Sequence, residues 1–268
     1  MDMTMPRISA SSYSNTAPLI WSFLYGRNHG RVELVLDNAP ARSAELLAQD
    51  RVDAALVPVI AYQDIEGVKF VPDVCVGAKR KVRSVCLVTT GSELADVRSV
   101  ALDRSSRTSI VLTKLIFREF VEHEPSWQTA APDIETMLAG ADAALLIGDP
   151  ALTLSSTRSE AELRVFDLAE LWHEYTGLGF VFAMWMTKRE QAVVDFAAAR
   201  DEGLAHLDEI IANYAELGLC AQEMRQYLSQ NISYALDDSM RQGMALYFDL
   251  AAKNGLIPRE KPLEFAGR

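Results

Sequence analysis

The chain has 268 residues, 49% of them hydrophobic and 24% charged; this is enough for one or two packed domains and excludes a disordered chain. Its formal net charge of −11 opposes nucleic-acid binding, which needs a basic face to displace counterions from phosphates. An anion can still be held by such a protein, provided that the donors are local.

The densest basic cluster, KRKVR at 79–83, reads as a solvated strand edge. Cys75, Cys86 and Cys220 form no CxxC spacing, and His29, His123, His173 and His206 form no HExxH or other ligand pair, so no metal is expected. Cys75 and Cys86 sit in apolar runs and read as small core residues. The N-terminal stretch is too polar for an export signal. No segment reaches the ~18–20 continuous apolar residues of a membrane span. The expectation is a reduced, cytoplasmic, soluble protein with neither a membrane nor a nucleic-acid partner. The sequence carries no mark of an oligomeric state.

Strand and helix signals alternate from the start. RISASS (7–12) reads as a buried strand, TAPLIWSFLYG (16–26) as a helix with Pro18 in its first turn and Gly26 as its stop. Then follow a strand (32–38), a helix (39–51) and strands over 52–59 and 68–78. VRSVCLVTT (82–90) is a long apolar strand. A second series has a strand at 99–103, a helix over 105–123 and a strand at 143–152 running into a turn. GLGFVFAMWMT (177–187) is another long apolar strand. From 188 onward apolar residues recur at helical spacing. This alternation implies an α/β layer with largely parallel sheets.

The layout predicts two lobes. Residues 1–88 with 187–268 form the first, and 89–186 an inserted second. The long strands 82–90 and 177–187 would be the crossings, with hinges at 88–90 and 183–186, and a cleft would lie between the lobes.

Ligands of open α/β sheets sit beyond the carboxyl ends of strands. Helix starts there offer free N–H groups and a partial positive charge, which suit a carboxylate or phosphate. Four junctions qualify: 11–16, with Ser12, Ser14, Asn15 and Thr16; Ser84 and its neighbours; 105–109, with Ser105, Ser106, Arg107 and Thr108; and Gly148 with Asp149. A hydroxyl in each is also the ordinary cap of a helix, but four donors in LDRSSRTS exceed what one cap needs. Arg107 adds a charge-assisted donor. Gly148 permits close backbone approach. Glu170 and Glu174, one helical turn apart, read as a solvated face rather than an acid–base pair. No GxSxG, P-loop or GxGxxG motif follows a strand.

Taken in order, SYSNTAPL, DAALVPV, VRSVCLVT, LDRSSRTS, LLIGDPAL and TGLGFVFAMW resemble the chorismate dehydratase family of the futalosine route to menaquinone. The resemblance runs from about residue 7 to 185. Ser14 stands where that family commonly has an apolar residue, and Gly179 where it usually has proline. The resemblance implies a two-lobed type II periplasmic-binding-protein-like α/β fold with a hinged cleft, no cofactor, and a lyase that removes water from chorismate, a small dianion, to give 3-[(1-carboxyvinyl)oxy]benzoate. With donors but no obvious base at the polar junctions, Asn15 is expected to hydrogen-bond at the reacting centre. Ser12, Ser84, Ser106, Arg107, Thr108, Gly148, Asp149 and Thr176 would contact the substrate. Two other readings are a cytoplasmic solute-binding or sensor protein for a small carboxylate, and the sister 1,4-dihydroxy-6-naphthoate synthase, whose N-terminal motif is richer in Pro and Cys.

Overall fold

The computed structural model describes residues 5–37, 40–154 and 163–267; residues 1–4, part of the stretch read for export, lie outside the described residues. The chain opens with β1 (Arg7–Ser11), a 3-10 turn (Ser14–Thr16), α1 (Ala17–Leu24), β2 (Glu33–Asp37), α2 (Pro40–Ala48), β3 (Ala54–Pro58), α3 (Ala61–Asp64) and β4 (Lys69–Ala78). It then builds β5 (Val85–Thr89), β6 (Ser99–Asp103), α4 (Thr108–Leu115), a π turn (Ile116–Val121), β7 (Ser126–Ala130), α5 (Ile134–Gly140), β8 (Ala143–Ile147), α6 (Asp149–Leu152), β9 (Arg164–Asp167) and α7 (Leu168–Thr176). It returns through β10 (Phe180–Thr187) and ends in α8 (Phe196–Ala205), α9 (Leu207–Asn213), α10 (Ala221–Gln226), a π turn (Tyr227–Asn231) and α11 (Asp238–Lys253).

Two sheets result, in the orders β2-β1-β3-β10-β4 and β7-β6-β8-β5-β9. Both are mixed rather than largely parallel. β10 runs antiparallel to β3 and β4, and β5 antiparallel to β8 and β9. Every residue of β3, β5 and β8 is buried, as expected for central strands covered on both faces. That is why these segments read as unbroken apolar runs.

β5 pairs wholly within the second sheet and β10 wholly within the first. These strands are therefore not themselves the crossings. The chain passes between sheets at 79–84 and 177–179, just before each of them. KRKVR is thus a connector and not a strand edge: Lys79 pairs with Asp237 and Lys81 with Glu170, while Val82 is buried. A left-handed Arg83 (φ 64°) ends it.

One apolar cluster runs through both lobes, from Ile8 and Trp185 to Leu145 and Trp172. A smaller one, with Cys86, Val88, Met137 and Leu146, backs the far face of the second sheet. Cys75 and Cys86 are buried free thiols. α11 spans the two lobes. Its Tyr247 hydroxyl donates to the Thr108 carbonyl at 3.0 Å, and the Lys253 ammonium lies 2.9 Å from Glu119. No helix among the described residues is long and apolar enough to cross a membrane.

Candidate active site

The strand ends of both sheets face one cleft. Ser11, Tyr13, Asn15 and Thr16 line it from the first lobe, with Pro58 and Phe182; Ser105, Ser106, Arg107, Thr108, Ser109 and Gly148 line it from the second. Its volume is about 560 Å³, including space open to solvent.

Local bonds set the first wall. Thr16 Oγ1 donates to the carbonyls of Ser11 at 2.6 Å and Tyr13 at 2.8 Å. This folds the end of β1 into a 3-10 turn and turns Asn15 toward the cleft. The amide of Ser14, which opens the turn, goes to the Asp149 carboxylate of the second lobe at 3.2 Å, and no side chain caps α1 behind it.

The second wall is the start of α4. Asp103, fully buried at the end of β6, accepts from the Ser105 amide at 2.9 Å and the Ser105 hydroxyl at 2.6 Å. Ser105 is thereby used to shape the loop, and no side chain caps α4. The intrahelical ladder begins with Val111 N–H on the Arg107 carbonyl at 3.3 Å. The amides of Thr108, Ser109 and Ile110 precede it and carry the positive end of the helix dipole at the cleft. Ser106, 6% exposed, stands beside them.

Several groups expected at the ligand are engaged with the protein. The Arg107 guanidinium forms an ion pair with Asp64 of the first lobe at 3.0 Å. Thr108 Oγ1 accepts from the Ile60 amide at 3.3 Å, across the cleft. Asp149 accepts from the Ser14 amide at 3.2 Å and from the Ser14 hydroxyl, so Ser14 ties the lobes together. Burial raises the Asp149 carboxyl above the usual carboxylate range, against the pull of those Ser14 bonds. Gly148 (φ 66°) is the residue before α6, and a Cβ there would stand 3.0 Å from the Tyr13 ring; its small size accommodates an aromatic of the protein itself.

Ser12 lies outside the lining: its amide donates to the Asp37 carbonyl at 3.0 Å and its carbonyl accepts from the Tyr214 hydroxyl at 3.2 Å. Thr176 lies at the far end of α7, where its hydroxyl donates to the Trp172 carbonyl at 2.7 Å. Ser84 is fully buried one residue before the lining Val85. Glu170 pairs with Lys81, and Glu174 is exposed.

Tyrosines are what the sequence reading missed. Tyr13 lines the cleft, and burial raises its phenol, with the Ser105 hydroxyl pulling it down. Tyr214 is pushed up to about 12, first by burial and then by the charge of Asp149. Among the described residues no group of three or more His, Cys, Asp and Glu side chains is placed to hold a metal ion.

A family model described as "Menaquinone biosynthesis" matches residues 6–253. The chain belongs to the menaquinone biosynthesis family. Within reach of that family, it is 34% identical over 260 residues to a protein from Thermus thermophilus named chorismate dehydratase, covering 88% of this chain and 91% of that one. Among solved structures, a protein from Archaeoglobus fulgidus superposes with a TM-score of 0.69 at 18% identity, over 94% of this chain and 98% of that one. The periplasmic aliphatic sulphonate binding protein of Escherichia coli superposes with a TM-score of 0.64 at 18% identity, over 98% and 94%. These likenesses establish the periplasmic-binding-protein fold of this family member.

Proposed function

We propose that the cleft dehydrates chorismate to 3-[(1-carboxyvinyl)oxy]benzoate, the carbon–oxygen lyase step of the futalosine route to menaquinone. The observation that carries the reading is the 34% identity to a chorismate dehydratase over nearly the whole length of both chains. The geometry supports it: an uncapped helix start, suited to a carboxylate, lies across the cleft from Asn15.

The reaction removes a proton from the ring carbon bearing the enolpyruvyl ether. It expels the hydroxyl of the neighbouring ring carbon, and the two leave as water. The ring becomes aromatic, so the step is strongly downhill. Orientation and donors aimed at developing charge then account for much of the acceleration. In this reading the α4 amides and Ser106 hold one carboxylate, Ser84 and its neighbours serve the other end, and Asn15 hydrogen-bonds at the reacting centre. The side-chain carboxylate of the substrate itself accepts the proton. Arg107 acts mainly through its ion pair with Asp64, which draws the lobes together. The lobes turn about 79–84 and 177–179 to admit substrate, and closure expels water. The buried thiols Cys75 and Cys86 fit a reducing, cytoplasmic setting.

Incubating the purified protein with chorismate tests the reading. The expected result is a benzoate-type ultraviolet spectrum and a product lighter by one water. Binding without conversion would indicate a solute sensor. Inert chorismate with formation of 1,4-dihydroxy-6-naphthoate from the later intermediate would indicate the sister enzyme.

A further inference from the structure

One face of α11 touches both a crossing between the lobes and the wall of the cleft. Ser239, Gly243 and Tyr247 follow one another at single helical turns and so share a side of the helix. At one end the Ser239 hydroxyl accepts from the Gly179 amide at 3.0 Å, in the crossing 177–179. One turn on, a Cβ at Gly243 would stand 2.0 Å from the Gly179 carbonyl oxygen. Glycine weakens a helix interior, and the closeness of the two backbones is why one stands here. At the other end the Tyr247 hydroxyl donates to the Thr108 carbonyl at 3.0 Å.

Tyr247 is fully buried. Its ring is held edge-on by Phe180 of the first sheet, with centroids 5.1 Å apart, and by Trp172 of the second lobe at 6.5 Å. Burial also raises its phenol, so the oxygen keeps the proton that it donates.

The bond lands on a particular peptide. The Thr108 carbonyl and the Ser109 N–H belong to one amide group. Ser109 lines the cleft, and its N–H is among those that the α4 ladder leaves open, with no side chain to cap them. A donor on the carbonyl side of an amide polarises its N–H and strengthens the bond which that N–H gives to an anion. The same residue is pinned a second time, since Thr108 Oγ1 accepts from the Ile60 amide at 3.3 Å. Two bonds from outside the inserted segment thus set the tilt of the first peptide of α4. Beside it Ser106, 6% exposed and on the cleft wall, has a hydroxyl with no hydrogen bond among the described residues. A helix start braced from behind and flanked by an unused buried hydroxyl is arranged for an acceptor from outside the chain.

We propose that Tyr247 is a positioning residue for substrate binding: through the Thr108–Ser109 peptide it orients and strengthens the amide that holds a chorismate carboxylate. This rests on the proposed function above and gives the C-terminal helix a part in it. The same carboxylate is held before and after water is lost, so the contribution falls on affinity and not on turnover.

The test compares wild type, Tyr247→Phe and Ala245→Gly. Phenylalanine keeps the buried ring and removes the hydroxyl alone. Ala245→Gly lowers helix propensity in the same helix and leaves the hydroxyl in place. Steady-state assays with chorismate give kcat and KM. Calorimetry gives Kd for the product, 3-[(1-carboxyvinyl)oxy]benzoate, which keeps both carboxylates, and melting gives Tm. Tyr247→Phe is expected to raise KM about fivefold, less than the loss of a whole bond to a charged group. The product Kd should rise by the same factor, and kcat should stay within about twofold. Ala245→Gly should lower Tm comparably and leave both affinities unchanged. Wild-type KM and product Kd in Tyr247→Phe overturn the inference. So does a fall in kcat larger than the rise in KM, or an equal loss of affinity in Ala245→Gly, which would reduce Tyr247 to a packing residue. Wild-type protein inert toward chorismate overturns the proposed function itself, whereas an active wild type matched in every respect by Tyr247→Phe overturns this inference alone.

Discussion

The start of α4 at the cleft differs from most helix starts elsewhere. Away from it, α5, α7, α8 and α11 are each capped by the side chain of an aspartate, Asp133, Asp167, Asp195 and Asp237, and α10 by Cys220 within a capping box. At the cleft, α4 has no side-chain cap, although serines and threonines crowd its start. Even Thr108, the first residue of α4, turns its hydroxyl across the cleft to serve the Ile60 amide at the head of α3. A helix start whose amides the protein satisfies is finished as structure. One left open beside small polar residues keeps its positive end for something else. α9 too lacks a side-chain cap; the start of α4 is set apart by being both uncapped and on the cleft wall.

Four substitutions would break or sharpen that contrast. The largest effect belongs to Asn15, beside the uncapped α1: Asn15→Ala should lower kcat about a hundredfold, about 2.7 kcal/mol, with a smaller change in chorismate affinity. Steady-state kinetics with independent equilibrium binding checks this, and unchanged turnover removes Asn15 from the chemistry. Next, Ser106→Asp places a fixed carboxylate at the open start of α4. It should weaken chorismate binding about tenfold or more while Tm holds or rises; titration calorimetry and melting together decide it. Third, Asp195→Ala strips the cap of α8, far from the cleft. It should cost about 1 kcal/mol in denaturant unfolding and leave kcat and KM alone. A loss of activity there would erase the contrast between the two kinds of helix start.

The smallest effect is one of pH. Burial raises Asp149 above its unfolded value. The stability this group contributes is therefore full below the ordinary carboxylate range and is lost as pH rises through its elevated folded value. Wild type should gain on Asp149→Asn as pH falls from neutral into that range, by a fraction of a kcal/mol. Paired thermal melts read this directly, and a difference independent of pH would remove burial as the cause.

The layout of the fold was legible because its central strands are buried on both faces and so read as uninterrupted apolar runs. β7, SWQTA, escaped notice: it is an edge strand with exposed positions, and neither run nor alternation marks it. The crossings were misplaced by the same logic. Length and apolarity mark a strand as central, not as a connector, and the true connectors are the charged 79–84 and the short 177–179. At the site, Asn15, Ser106, Arg107, Thr108 and Gly148 all reach the cleft. What the sequence could not show is how each donor is used. Arg107 has its partner in Asp64, Ser105 in Asp103, and Asp149 in Ser14. All three pairings come from tertiary contact or loop closure and leave no periodic trace.

Asp167 has a mechanical consequence. Its carboxylate receives the amides of Val82 and Arg83 from the outgoing connector, and those of Ala169 and Glu170 at the head of α7. One side chain thus clamps the far end of the outgoing connector to the body of the inserted lobe. In the lobe opening proposed above, bending would be left to the residues nearer the first sheet, around 79–81, with 177–179 as the matching pivot. Ser84, just past the clamp, would then swing with the inserted lobe as a rigid body, so that opening the mouth would carry it away from the first lobe.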